Sequence, residues 1–254
     1  FIANQLSQLP PDLSLVFDDW HRVGSPALSA RRIKAIVAAR PAQGCVYFIS
    51  REDLPLALQR NRMRRQALVL ADDDLAYTEE EIGIFFQTIN GIALDADGRR
   101  KIHRLTAGWP GALVILAEEL QRNPGREEEL LSAATLPERL QNEAGNFFKE
   151  EIYGRQPKQL QAFLARSALL ERAPADLMRA ELGTQRANHY LSEAVRQHLF
   201  VKPVDAPSGQ WLLQINPLFR QFLRTQVHEF YSQEEIRRFL NGAARDCQTK
   251  DEFE

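Results

Sequence analysis

The start of the chain alternates short apolar runs with helical patterns. The apolar runs cover residues 13–17, 45–49 and 67–70, and the helical patterns cover residues 29–40 and 54–65. A short apolar run between polar residues is typical of a buried strand. Strands that alternate with helices indicate crossover connections and a parallel sheet, in which the strands are buried on both faces. Residues 1–72 are therefore expected to be an α/β domain.

Residues 75–125 predict a small all-helical domain, separated from the first by an acidic linker at residues 72–74. Thr78 and Glu81 have the spacing of a capping box. Apolar residues then recur at helical spacing, at Ile82, Phe85, Phe86 and Ile89. Pro110 suits the first turn of a later helix. A linker helix or loop at residues 126–142 would follow.

Residues 140–228 predict a winged-helix domain. Three helical patterns precede two apolar runs, at residues 200–204 and 210–215, which are joined by a loop containing residues 207–209. One more helix closes the set, and this order is typical of a winged helix. Residues 229–254 begin with a second capping box, Ser232 and Glu235, and predict the start of a helical array.

Composition excludes several classes of protein. The formal net charge of −2 gives no electrostatic reason to expect nucleic-acid binding. The longest apolar runs are too short to span a bilayer, so no membrane partner is expected. With only Cys45 and Cys247, the sequence implies no disulfide framework, and a cytoplasmic location fits best. The chain begins at Phe1 rather than at Met, so we expect it to be part of a longer protein.

Candidate chemistry lies where the first two strands end. Asp18 and Asp19 follow the first strand, and Arg51 follows the second. Ligands of open α/β sheets bind beyond the carboxyl ends of the strands. Two carboxylates there could hold Mg²⁺ and orient a water, and an arginine could bind phosphate. The alternatives are that the aspartates only form a turn and that Arg51 is a surface residue or their ion-pair partner.

The histidines give little support for a metabolic enzyme. The five are scattered, and no Ser/His/Asp, Cys/His or metal-ligand spacing is present. Each is expected to be a surface or boundary residue. Only His21, two residues after Asp19, lies near the candidate site.

Four motifs in order carry a resemblance to a known family. They occupy residues 13–19, 48–51, 108–113 and 216–219. The chain resembles the nucleotide-switch region of the large ATP-binding LuxR-type transcriptional regulators, the family of the maltose-regulon activator, within the STAND class of P-loop ATPases. This resemblance implies the C-terminal part of a parallel-sheet P-loop NTPase core, followed by the helical, winged-helix and helical-repeat (TPR-like) segments.

The resemblance also assigns roles. Residues 13–19 match the Walker B strand, in which Asp18 would hold Mg²⁺ through water and Asp19 would be the catalytic residue that orients the attacking water. Arg51 matches the sensor arginine for the γ-phosphate, and Pro110 matches the proline that packs on adenine. Asn216 stands where the family usually has a histidine that reaches the β-phosphate of ADP. An amide can donate a hydrogen bond but carries no charge.

The phosphate-binding loop of this family, G-x-x-x-x-G-K-[ST], does not occur in the sequence. In the family it lies upstream of Walker B, so it would precede Phe1. ATP or ADP with Mg²⁺ would thus be cofactors of the parent protein, which would be at most a slow ATPase. We expect the chain alone to be inactive and to bind nucleotide weakly or not at all.

The resemblance implies a signalling switch. ADP would hold the sheet, helical and winged-helix domains closed, and ATP with a small-molecule or protein inducer would open them and permit self-association. DNA would bind only through a C-terminal domain that this chain lacks. One alternative is DNA binding by the winged helix, but its candidate recognition helix, residues 187–199, is nearly neutral. Another is a nucleotide-free scaffold for partner proteins.

Overall fold

The computed structural model describes residue 10 and residues 12–40, 43–55, 59–125, 137–205 and 211–249. The chain forms two compact units, one of residues 1–69 with 196–198 and the other of residues 70–195 with 199–254. The predicted loop at 207–209 and most of the predicted linker at 126–142 lie outside the described residues. No helix within those ranges is long and apolar enough to cross a membrane.

The first unit is built on a strand–helix–strand crossover. Its elements are strand β1 (Leu15–Phe17), a 3-10 turn at Trp20–Arg22, helix α1 (Pro26–Ala38), strand β2 (Val46–Phe48) and the short helix α2 (Gln59–Met63). The two strands pair in parallel, with Leu15 opposite Val46 and Phe17 opposite Phe48. The predicted parallel pairing of these two strands is therefore confirmed.

One face of this two-stranded sheet forms the core of the first unit. Its buried side chains are those of Trp20, Ile33 and Ile36. Phe17 and Phe48 stack against each other, with ring centroids 5.4 Å apart, and Trp20 meets both at its edge. The Trp20 indole nitrogen donates a hydrogen bond of 2.6 Å to Ser29 Oγ in α1. The turn after β1 is thereby fixed to the helix.

The opposite face of the sheet is exposed, so the predicted burial on both faces is wrong. Val16 and Tyr47 are opposite each other in the register and are 61% and 52% exposed. The predicted strand at residues 67–70 is also wrong, since these residues have no strand structure and Leu68 is 81% exposed. A strand needs a neighbouring backbone for its hydrogen bonds, and none of the described segments pairs with this run.

The second unit begins with helices alone. They are α3 (Asp72–Leu75), α4 (Glu79–Asn90), α5 (Ala96–Thr106) and α6 (Pro110–Arg122). Thr78 and Glu81 form the predicted capping box, with 2.9 Å from the Thr78 backbone nitrogen to Glu81 Oε2 and 3.2 Å from the Glu81 backbone nitrogen to Thr78 Oγ1. Ile82 and Phe86 are buried as predicted, whereas Ile89 is exposed. The all-helical prediction holds for the described part of residues 75–125.

The winged helix follows. Its helices are α7 (Glu138–Phe147), continued by a π-helical segment (Phe148–Tyr153), α8 (Lys158–Ser167), α9 (Ala175–Leu182), α10 (Thr184–Arg196) and α11 (Pro217–Gln226). Strands β3 (Arg172–Pro174), β4 (Val201–Asp205) and β5 (Trp211–Ile215) form an antiparallel sheet in the order β3-β5-β4. The winged-helix prediction is confirmed, with β3 as an additional strand.

One core connects the parts of the second unit. Helix α12 (Gln233–Thr249) follows a 3-10 turn at Val227–Glu229 and begins with the predicted capping box of Ser232 and Glu235. A single cluster of buried side chains includes Ala112 of α6, Phe148, Phe219 of α11 and Phe239 of α12. The helical segment has a buried cluster of its own, which includes Ile82, Phe86 and Leu113, and it joins the winged-helix cluster through Ala112.

Candidate functional site

The ends of β1 and β2 are joined by backbone hydrogen bonds. The Ile49 nitrogen donates to the Phe17 carbonyl, and the Trp20 nitrogen donates to the Ile49 carbonyl, each at 2.9 Å. This pairing continues the parallel ladder beyond the strands and fixes the chain that carries the acidic pair. The sheet edge therefore holds the residues that follow both strands, as the sequence predicted for Asp18, Asp19 and Arg51.

The two aspartates differ in conformation and in contacts. Asp18 is exposed, and its Oδ1 accepts a hydrogen bond of 2.8 Å from the Asp19 backbone nitrogen. Asp19 has a left-handed backbone with φ 51, and its Oδ2 is 3.3 Å from Nη1 of Arg22. Few residues other than glycine adopt this conformation, but aspartate is among those that do.

This carboxylate pair alone offers too few oxygen ligands for a hard divalent cation such as Mg²⁺. Mg²⁺ in proteins prefers oxygen ligands and is commonly held by one or two carboxylates together with waters and substrate phosphates. Within the described residues, no group of three or more His, Cys, Asp or Glu could hold a metal ion. Two carboxylates alone would leave most coordination positions of a Mg²⁺ ion to waters or phosphate oxygens.

His21 connects the two strand ends. Its Nδ1 is 3.5 Å from the Arg51 backbone nitrogen and 4.0 Å from Asp19 Oδ1. Sequence reasoning placed His21 only near the site, because a contact between residues 30 positions apart depends on the strand pairing. Trp20 was not singled out, although a large apolar residue directly after an acidic pair is a signal for an anchored turn.

Pro110 lies in the second unit, at the start of α6, as predicted. The turn before it is tightly packed. Gly108 has φ +71, and its carbonyl accepts a hydrogen bond of 2.9 Å from the Tyr77 nitrogen. Trp109 stacks on Phe148 of the winged helix, with ring centroids 5.3 Å apart. The proline is thus held by a turn that is anchored on both sides.

Asn216 caps helix α11 and also reaches the Pro110 turn. Its Oδ1 accepts hydrogen bonds from the backbone nitrogens of Leu218 and Phe219, at 3.0 and 3.4 Å. Its Nδ2 donates to the Thr106 carbonyl at 3.2 Å, and the same carbonyl accepts from the Trp109 nitrogen at 3.1 Å. The structure therefore brings Asn216 and the Pro110 turn together through Thr106, which is fully buried.

The chain is similar in sequence to known proteins. A sequence profile of the MalT winged helix domain matches residues 149–236. The HTH-type transcriptional regulators MalT of Cronobacter sakazakii, Klebsiella pneumoniae and Yersinia enterocolitica are 27%, 26% and 27% identical to the chain. The resemblance to the MalT regulators is confirmed. Each alignment covers 87% of the chain and 24% of the relative, so the chain spans about a quarter of the length of these MalT proteins.

The fold of the chain is similar to that of an ATPase. A Walker-type ATPase of Pyrococcus abyssi matches with a TM-score of 0.54 at 16% sequence identity, over 87% of the chain and 66% of the ATPase. At this identity the match establishes similarity of fold.

The predicted site residues of the MalT-like chain thus form two groups. Asp18, Asp19 and Arg51 lie at the strand edge of the first unit, and Pro110 and Asn216 lie together in the second. Asn216 is inside the segment that matches the MalT winged helix, and the other four precede it. Thr106, which joins Pro110 to Asn216, was missed, because it acts through a backbone carbonyl that any residue possesses.

Proposed function

We propose that the chain is the nucleotide-responsive segment of a MalT-like transcriptional regulator. ADP favours a resting state, and ATP with a small-molecule or protein inducer favours an active state that self-associates. A ligand shifts such an equilibrium by binding one state more tightly than the other. The intact protein hydrolyses ATP slowly, and hydrolysis resets the switch.

The shared strand edge is the observation that carries this proposal. Asp18 and Asp19 supply oxygen ligands of the kind that Mg²⁺ prefers, and the planar guanidinium of Arg51 suits a phosphate. In this role Asp18 binds Mg²⁺ through water, Asp19 orients the attacking water, and Arg51 binds the terminal phosphate. Mg²⁺ neutralises the charge of the phosphates when it is bound.

The resemblance also assigns nucleotide contacts to Pro110 and Asn216 of the second unit. The Pro110 ring packs on adenine, and the Asn216 amide donates to a phosphate of ADP. Both polar atoms of Asn216 already have partners, because Oδ1 caps α11 and Nδ2 donates to Thr106. The amide nitrogen has a second N–H, so Asn216 can donate to a phosphate without losing the bond to Thr106.

The regulator as a whole extends beyond the chain. We infer the C-terminal part of a P-loop NTPase core, followed by helical and winged-helix segments and the first helix of a helical array. The MalT relatives are named HTH-type transcriptional regulators. This supports DNA binding by a domain outside the chain, and a regulator of transcription works in the cytoplasm.

A nucleotide-free scaffold for partner proteins is the second candidate. The observation that favours it is that both polar atoms of the Asn216 side chain have structural roles, in capping α11 and in bonding to Thr106. In that case Asp18, Asp19 and Arg51 have structural roles only.

Binding measurements on the intact protein distinguish the two candidates. We expect Asp18→Asn to weaken Mg²⁺-dependent ATP binding and Arg51→Ala to weaken ATP binding more than ADP binding, each by about tenfold or more, since charged hydrogen bonds are lost. Asp12→Asn and Arg40→Ala are matched controls, because these exposed residues flank the other ends of β1 and β2. Calorimetry measures both affinities. An intact protein that binds neither nucleotide contradicts the switch and supports the scaffold.

A further inference from the structure

We propose that His21 is a further specificity residue, which donates a hydrogen bond from Nε2 to the terminal phosphate of bound ATP. This inference rests on the proposed function, because it assumes a nucleotide at the strand edge. It would add a hydrogen-bond donor to the group formed by Asp18, Asp19 and Arg51. This donor would contact the terminal phosphate, which ATP has and ADP lacks.

The backbone around His21 holds its ring in place. His21 lies in the 3-10 turn, where the Arg22 nitrogen donates to the Asp19 carbonyl at 2.9 Å and the Val23 nitrogen donates to the Trp20 carbonyl at 3.0 Å. The Trp20 side chain before it is buried, and the side chain of His21 itself is 16% exposed. A ring on such a turn has little freedom to move, which is what a positioned donor requires.

The contact with Arg51 determines which ring nitrogen carries the proton. A backbone N–H can only donate, so Nδ1 of His21, 3.5 Å from the Arg51 nitrogen, is the acceptor. In the neutral ring the proton then resides on Nε2. Among the described residues, no side chain or backbone group accepts a hydrogen bond from this nitrogen.

An N–H group without a protein acceptor at this edge is suited to a phosphate oxygen. The neighbouring carboxylates repel a bare anion, so phosphate oxygens need donors as well as Mg²⁺. Nε2 supplies one donor, and the contact of Nδ1 with the Arg51 backbone nitrogen links this donor to the end of β2. His21 would therefore contribute to the affinity for ATP but not to that for ADP.

Three substitutions in the intact protein separate the two ring nitrogens. His21→Asn keeps an acceptor near Nδ1 and removes the donor, His21→Gln places an amide donor near Nε2 and removes the acceptor, and His21→Phe removes both. We expect Asn and Phe to lower ATP affinity about tenfold with ADP affinity unchanged, and Gln to retain most of the affinity. His103→Asn, on helix α5 of the other unit, is the control.

The measurements are ATP and ADP affinities by calorimetry and the melting temperature of each variant without nucleotide. If Asn and Gln variants melt like the wild type and keep its ratio of affinities, the proposal is overturned. If Asn binds like the wild type and only Gln is weakened, His21 acts through Nδ1 alone, which also overturns it. If the wild-type protein binds neither nucleotide, the proposed function itself fails. The other two outcomes overturn only the role of His21.

Discussion

At Gly108, both the backbone conformation and the available space require a residue without a side chain. The residue has φ +71, a conformation that costs a side chain energy, and a Cβ there would overlap the Tyr77 carbonyl oxygen and lie 2.8 Å from the Tyr77 nitrogen. The Tyr77 nitrogen also donates to the Gly108 carbonyl. The turn that holds Pro110 therefore depends on a close approach of two backbone segments that only glycine permits.

Gly108→Ala is expected to destabilise the protein by about 3 kcal/mol or more, because strain and steric overlap add. The matched control is Gly91→Ala. Gly91 has nearly the same φ, +67, but beyond its chain neighbours no atom lies within 4 Å of the position that a methyl group would occupy, so only the conformational cost of about 1 kcal/mol applies. Urea unfolding measures both free energies. Equal losses for the two variants would show that the space around Gly108 is unimportant.

Helix α4 is held at its start by reciprocal hydrogen bonds. Hydrogen bonds from the backbone N–H and then the hydroxyl of Thr78 lower the pKa of Glu81 from its ordinary value of 4.5. A carboxyl whose pKa is lower in the folded state stabilises the fold above its unfolded pKa. That contribution is lost as the pH falls through the folded value.

Glu81→Gln should therefore remove part of the acid sensitivity of the fold. We expect the stability difference between wild type and variant to be largest above the ordinary pKa of 4.5, and to shrink as the pH falls through the lowered folded-state pKa until Glu81 is protonated in both states. Glu79→Gln, in the first turn of the same helix, is the control. Urea midpoints across this range test the effect. A difference that does not change with pH would assign the stabilisation to packing.

Elements whose signals are local could be predicted from the sequence. Both capping boxes and the proline start of α6 formed where expected, since each depends on residues within one helical turn. The run at residues 67–70 failed, because a strand depends on a partner elsewhere in the chain. Strand β3, only three residues long, was missed because its signal is the pairing with β5.

The residues of the candidate site also divide into those that local signals predict and those that depend on tertiary packing. The common edge of Asp18, Asp19 and Arg51 could be predicted, because the carboxyl ends of parallel strands meet. The bond from Asn216 to Thr106 joins residues 110 positions apart and needs the complete packing of the second unit. No periodicity or motif contains that information.

At the scale of the whole molecule, the two units differ in the size of their cores. Among the described residues, the buried cluster of the first unit contains Trp20, Ile33 and Ile36, whereas two larger clusters occupy the second. Stability grows with buried apolar surface. The first unit therefore has less to hold it together, and its exposed sheet face adds nothing.

We expect the chain to unfold in two steps, with the first unit unfolding at lower denaturant. Trp20 reports on the first unit and Trp109, which packs on Phe148, reports on the second. Trp211 also belongs to the second unit. Fluorescence of Trp20→Phe and of the double variant Trp109→Phe with Trp211→Phe, followed in urea, therefore assigns each transition. A single transition with coincident fluorescence and circular dichroism would mean that the units unfold cooperatively.

The left-handed backbone of Asp19 has a consequence for the evolution of the site. At φ 51, glycine, asparagine and aspartate fit with least strain, and other side chains cost more energy. Glutamate keeps the charge but is therefore a poor structural substitute. Asparagine removes the charge and is better tolerated. A lineage that loses the carboxylate here can keep its fold, so the charge at this strand end and the architecture are free to diverge by a single substitution.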